Sequence, residues 1–137
     1  MKIIMLHGKG NCGKTSTLNI VLNLLLQNGA TAINSGITYY PNRKGIPGDS
    51  FDFKAFLKYK NKTVAIYSEG DRSRAIINHI NQSASYDVLV CAANSSFSKP
   101  LSQLKPSDVL YPKTVATLKG EIWKYNFDDA DKILQQI

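Results

Sequence analysis

Apolar residues follow distinct rhythms along the chain. Lys2-Ile3-Ile4-Met5-Leu6 is a short unbroken run, the pattern of a strand buried on both faces. From about Lys14 to Asn28, Leu18, Val21, Leu22, Leu25 and Leu26 recur at helical spacing, and Gly29 supplies a stop. Thr31–Ile33 and Ile37–Tyr40 are weaker strand candidates, and the prolines and glycines of Pro41–Ser50 predict a loop. Phe51, Phe53 and Ala55 alternate with Asp52 and Lys54, predicting a half-exposed strand to about Tyr59. Lys60-Asn61-Lys62 reads as a tight connection to the apolar strand Thr63–Ser68, so the two strands form a β-hairpin.

A helix is predicted from Arg74 to Ser83, with Ile76, Ile77 and Ile80 on one face, followed by a buried strand over Asp87–Ala93. The serine-rich stretch Asn94–Asp108 reads as loop, in which Leu101 and Leu104 support one helical turn. Glu121–Asn126 is expected as a last strand. Asp128 then caps a terminal helix through Gln136, with Asp129 and Asp131 in its first turn. Strands alternating with helices predict an α/β fold, a three-layer α/β/α sandwich with a mainly parallel sheet. The 137 residues suit a single domain spanning 1–137. Ligands of such sheets bind at the carboxyl ends of the strands.

One of those ends carries a motif. Gly8-Lys9-Gly10-Asn11-Cys12-Gly13-Lys14-Thr15 meets the pattern G-x-x-x-x-G-K-[ST] between a strand and a helix. Glycines let successive backbone N–H groups turn inward as an anion nest, and the helix start adds its own N–H groups and dipole. Lys14 is expected to reach the β- and γ-phosphates, and Thr15, with Ser16 beside it, to face the phosphates and Mg²⁺. On these residues the chain resembles the P-loop NTPases, a resemblance specific over about the first thirty positions. It implies a nucleoside triphosphate and Mg²⁺ as ligands, with Gly8, Lys9, Gly10, Asn11, Cys12, Gly13, Lys14, Thr15 and Ser16 forming the cradle. The same stretch is similar to the deviant Walker A motif of the Min/Par-type ATPases, where a lysine five positions before the main one reaches across a homodimer. Lys9 stands there before Lys14. Asn11 stands where that group usually has glycine, and no aspartate–x–x–glycine sequence follows a later strand.

A phosphate loop is usually completed by an acid at another strand end, which organises Mg²⁺ or water. The chain has ten acids. Asp87 and Glu121 begin their predicted strands, and Asp128, Asp129 and Asp131 belong to the terminal helix. Thr63–Ser68 runs into Glu69-Gly70-Asp71, so Glu69 or Asp71 is expected as the metal-organising and catalytic acid. Asp71 is equally well placed to cap the following helix. Arg72 and Arg74 follow at once, and Asn94, Ser95 and Ser96 share the same rim.

Charge and composition refine the function without deciding it. The net charge of +7 attracts polyanions in general, but no nucleic-acid motif accompanies it, so nucleic acid rests on charge alone. The guanine-reading Asn-Lys-x-Asp is absent, because Asn61-Lys62-Thr63-Val64 lacks the aspartate, and ATP is favoured over GTP. Only Arg43, Arg72 and Arg74 are arginines, few for a nucleotide-kinase lid. Cys12 and Cys91 form no metal or redox spacing and are expected as free thiols. The N-terminal apolar run is too short for a signal peptide, no run matches a membrane span, and a cytoplasmic location is expected. The sequence thus predicts a small Mg-ATP-dependent ATPase or switch. A small-molecule or nucleotide kinase and a non-catalytic nucleotide-responsive module are the alternatives, each with an unidentified second partner.

Overall fold

The computed structural model describes residues 1–10, 12–40 and 51–137, except that of Lys119 it describes the backbone alone. Its strands are β1 (Lys2–Gly8), β2 (Thr31–Tyr39), β3 (Phe53–Tyr59), β4 (Lys62–Tyr67), β5 (Val88–Asn94) and β6 (Val109–Pro112). The helices are α1 (Lys14–Gln27), α2 (Ser73–Gln82), the single turn α3 (Ser98–Ser102) and α4 (Ile122–Gln136). The strands form one mixed sheet in the order β2-β3-β4-β5-β1-β6. β4, β5, β1 and β6 are parallel, while β3 runs antiparallel to both β4 and β2.

Strand alternation divides the core into two clusters. Ile4 and Leu6 of β1 pack with Val64 and Ile66 of β4 and with Phe53 and Leu57 of β3, under Leu18, Leu22 and Leu25 of α1 and Ile133 of α4. Ile3 and Met5 point the other way, with Ala65, Leu89 and Cys91, and are covered by Ile76 and Ile80 of α2. Side chains that change face at every residue require exactly this two-sided cover, which explains why β1, β4 and β5 read as continuous apolar runs. No helix among the described residues is long and apolar enough to cross a membrane.

The predicted hairpin is present. Lys60 and Asn61 both take positive φ (48° and 64°), as a two-residue connection between twisted strands requires. The two weak candidates after α1 are one strand, β2, whose register against β3 shifts between Ala32 and Ile37, where Asn34 and Gly36 have positive φ. The expected strand at Glu121–Asn126 is corrected: Lys119–Glu121 is a 3₁₀ turn and Ile122 begins α4. The buried stripe of α4 is Asn126, Asp129, Ala130 and Ile133, a helical spacing whose first two members are polar. Its apolar residues Ile122, Trp123 and Phe127 face solvent instead, Trp123 being 70% exposed. β6 was hidden for another reason: it has four residues, lies at the sheet edge and ends in proline. Pro41–Ser50, with Arg43, lies outside the described residues.

Candidate functional site

β1 delivers the chain to the rim of the sheet at Gly8, and α1 starts at Lys14. Gly13, the residue before the helix, has φ +94°, and a Cβ there would stand 2.7 Å from Asn126 Oδ1 of α4. Glycine is therefore favoured at this position by conformation, and any Cβ would also displace the Asn126 amide. The residue before α1 is a glycine and so supplies no side-chain cap to the helix. Asn11 lies outside the described residues; Lys9 and Gly10 are exposed, and Cys12 and Ser16 are half-buried.

Lys14 folds back into this loop. The side chain is 6% exposed, and Nζ donates to the carbonyls of Lys9 at 2.6 Å and Gly8 at 3.2 Å, with Cys12 Sγ at 3.8 Å. Its hydrogen-bond partners among the described residues are all neutral. His7 sits just before the loop, and its imidazole is held below the usual histidine range, first by burial and then by the charge of Lys14. Both cysteines are free thiols, and burial pushes Cys91 up to about 12.

The hydroxyl of Thr15 donates to Asp52 Oδ1 at 2.9 Å. Ser68, directly after β4, donates to the same oxygen at 3.1 Å, and Ser68 Oγ accepts from the backbone N–H of Phe53 at 2.8 Å. The segment before β3 is tied to α1 a second time, where Asn19 Nδ2 donates to the Phe51 carbonyl at 3.1 Å. Asp52 thus joins the first turn of α1 to the ends of β3 and β4. It stands on the rim because β3 is antiparallel, which places its start beside the end of β4.

The two acids expected from the sequence lie in the turn between β4 and α2. Glu69 forms an ion pair with Arg72 at 2.7 Å. Asp71 is exposed and does not cap α2, whose N-cap is Arg72 with no side-chain cap. Gly70 lies against the backbone of β5, with a Cβ there only 2.7 Å from the Ala92 carbonyl carbon, and its own carbonyl accepts from Asn94 N–H at 3.0 Å. The turn therefore crosses the end of β5. Arg74 is exposed on α2.

Asn94 is level with Gly8 in the pairing of β5 with β1, and Ser95 N–H donates to the Gly8 carbonyl at 3.0 Å. Asn94 Oδ1 accepts from the N–H and hydroxyl of Ser96, which orients Nδ2 toward Gly10. On the other flank, Lys113 N–H donates to the His7 carbonyl at 2.8 Å, and Lys113 Nζ forms a buried ion pair with Asp129 of α4 at 2.9 Å.

No protein-family model matches the chain, and neither a curated protein nor a solved structure matches it. What the rim can do chemically follows from its own groups. A buried ammonium, a helix start preceded by glycine and a side-chain amide converge on one loop, a combination that favours a compact polyanion. Among the described residues no three His, Cys, Asp or Glu side chains are grouped to hold a metal. Thr15 and Asp52 offer a hydroxyl and a carboxylate, the sparse oxygen set that suits Mg²⁺ sharing its shell with phosphate and water.

Proposed function

We propose that the chain is a P-loop ATP-binding protein of the three-layer α/β/α kind that hydrolyses Mg-ATP. The observation that carries this reading is Lys14: a buried ammonium at a helix start, held by backbone carbonyls within a Gly-x₄-Gly-Lys-Thr loop. Buried charges are ordinarily paired with opposite charge. Here the described partners are neutral, so the positive field is available to a phosphate group.

In this reading Lys14 exchanges its carbonyl contacts for oxygens of the β- and γ-phosphates, while N–H groups of the loop and first helical turn hold the β-phosphate. Asn94 Nδ2 donates to the terminal phosphate. Water attacks the terminal phosphorus as the bond to the departing ADP breaks, and its proton leaves with the phosphate product. Mg²⁺, held at Thr15, would supply a Lewis acid for the phosphate oxygens. The neutral His7 beside Lys14 adds no competing positive charge.

Lys14→Ala tests the reading. ATP affinity measured by titration calorimetry should fall by about 100-fold, about 2.8 kcal/mol. The circular dichroism spectrum should be unchanged, because no described acid loses a partner. Unchanged affinity would remove the nucleotide assignment. Phosphate release by the wild type with Mg-ATP tests turnover separately, and binding without release would leave a nucleotide-responsive module.

A further inference from the structure

Resting on that reading, we propose that Asp52 is the acid that organises Mg²⁺ beside Thr15, and that Ser68 is its positioning residue. The acid of this site comes from the start of an antiparallel strand rather than from the turn after β4.

Three observations carry the assignment. The first is contact: Thr15 Oγ1 and Asp52 Oδ1 are 2.9 Å apart, so a hydroxyl and a carboxylate already share one small volume at the start of α1. The second is support. Ser68 is 1% exposed, accepts from Phe53 N–H at 2.8 Å and donates to Asp52 Oδ1 at 3.1 Å, while Ser68 N–H donates to the Phe53 carbonyl at 3.0 Å. The end of β4 and the start of β3 are thereby clipped together, and the carboxylate is met by a buried hydroxyl whose one proton it shares with the Phe53 carbonyl at 3.3 Å. A supporting hydrogen bond of this kind orients a metal-binding carboxylate.

The third is the placement of the rival acids. Glu69 is engaged by Arg72, the Gly70 turn is pressed against β5, and Asp71 is exposed with no side-chain cap made to α2. The apolar run of β4 ends at a position where an acid would be expected, and Ser68 stands there. The carboxylate that Ser68 lacks is supplied by its hydrogen-bond partner across the hairpin. A hydroxyl and one carboxylate are too few to hold Mg²⁺ tightly alone, so the ion should bind together with nucleotide phosphates.

The test is the Mg²⁺ dependence of ATP affinity, measured by calorimetry in chelator and across a Mg²⁺ titration. In the wild type, Mg²⁺ should tighten ATP binding. Asp52→Asn should keep the metal-free affinity and raise the half-saturating Mg²⁺ concentration by about 100-fold, and Ser68→Ala should raise it by about 10-fold. Ser68→Thr, which keeps the hydroxyl, should restore much of the response. Glu69→Gln and Asp71→Asn should retain the wild-type Mg²⁺ response. A wild-type response in both Asp52→Asn and Ser68→Ala would overturn the assignment, as would its loss in Glu69→Gln or Asp71→Asn. Should Asp52→Asn fail to fold, Ser68→Ala carries the same test with Asp52 in place. A wild type that binds ATP neither with nor without Mg²⁺ would refute the nucleotide reading itself, which distinguishes the two failures.

Discussion

Two aspartates flank the phosphate loop, and their surroundings differ in kind. Asp129, 1% exposed, receives four donors: Lys113 Nζ at 2.9 Å, Thr114 N–H at 2.9 Å, Thr114 Oγ1 at 2.8 Å and the Tyr111 hydroxyl at 3.2 Å. Asp52, half-buried, receives the hydroxyls of Thr15 and Ser68 on one oxygen. A lysine neutralises the first charge permanently. Among the described residues Asp52 meets hydroxyls and no ammonium or guanidinium, and hydroxyls can rotate and accept as readily as they donate. The same residue type thus serves as a strut on one side of the loop and as a chemical group on the other.

The strut holds α4 to the end of β6, and through Lys113 N–H and Asn126 it bears on both ends of the loop, at His7 and Gly13. Removing one partner of a buried pair strands the other charge. Lys113→Ala or Asp129→Ala should therefore cost about 3–5 kcal/mol of stability, measured by urea denaturation. This is the largest effect expected in the molecule's polar framework. A loss below about 1 kcal/mol would mean that the pair is solvated like a surface ion pair and would erase its contrast with Asp52.

Acid should separate the two residues next. Burial works to raise the Asp129 carboxyl, but hydrogen bonds from Lys113 and Thr114 outweigh it and hold the group below the usual carboxylate range. A group depressed in the folded state stabilises above its unfolded value, about 3.9, and that contribution is lost as pH falls through the folded value. Asp87, depressed by hydrogen bonds from Thr63, acts in the same direction and window. His7 and His79, lowered chiefly by burial, resist protonation and erode stability from a higher window, below about 6.5. Unfolding free energy followed against pH should show a step below about pH 4 that is shallower in Asp129→Asn. Parallel acid limbs in the two proteins would assign the step elsewhere.

Both aspartates escaped the sequence pattern, for opposite reasons. β1, α1, β4, α2 and β5 were legible because their buried positions are apolar and regularly spaced. Asp129 occupies a buried position of α4, but a polar residue there breaks the apolar period, so it read as a first-turn acid of a helix capped by Asp128, whereas α4 begins at Ile122. Asp52 read as the exposed member of an alternating strand beginning at Phe51. The strand begins at Phe53, which leaves Asp52 on the rim. The predicted hairpin already held the signal: a strand antiparallel to β4 must start where β4 ends. Which acid then meets Thr15 depends on the side-chain contact through Ser68, for which spacing in the chain gives no sign.

The smallest effect is the one that most sharpens the comparison. Asn at position 52 keeps an oxygen able to accept from Thr15 and Ser68, and no lysine or arginine among the described residues loses an ion pair with it. Asp52→Asn should therefore change stability by less than about 1 kcal/mol, the scale of a single net hydrogen bond. Urea denaturation in chelator, without nucleotide, measures this apart from any metal. A loss near that of Lys113→Ala would make Asp52 a second strut, fixed by the fold and not free to serve a cation. A small loss, beside a large change in Mg²⁺ response, is the signature of a carboxylate kept at the rim for its charge.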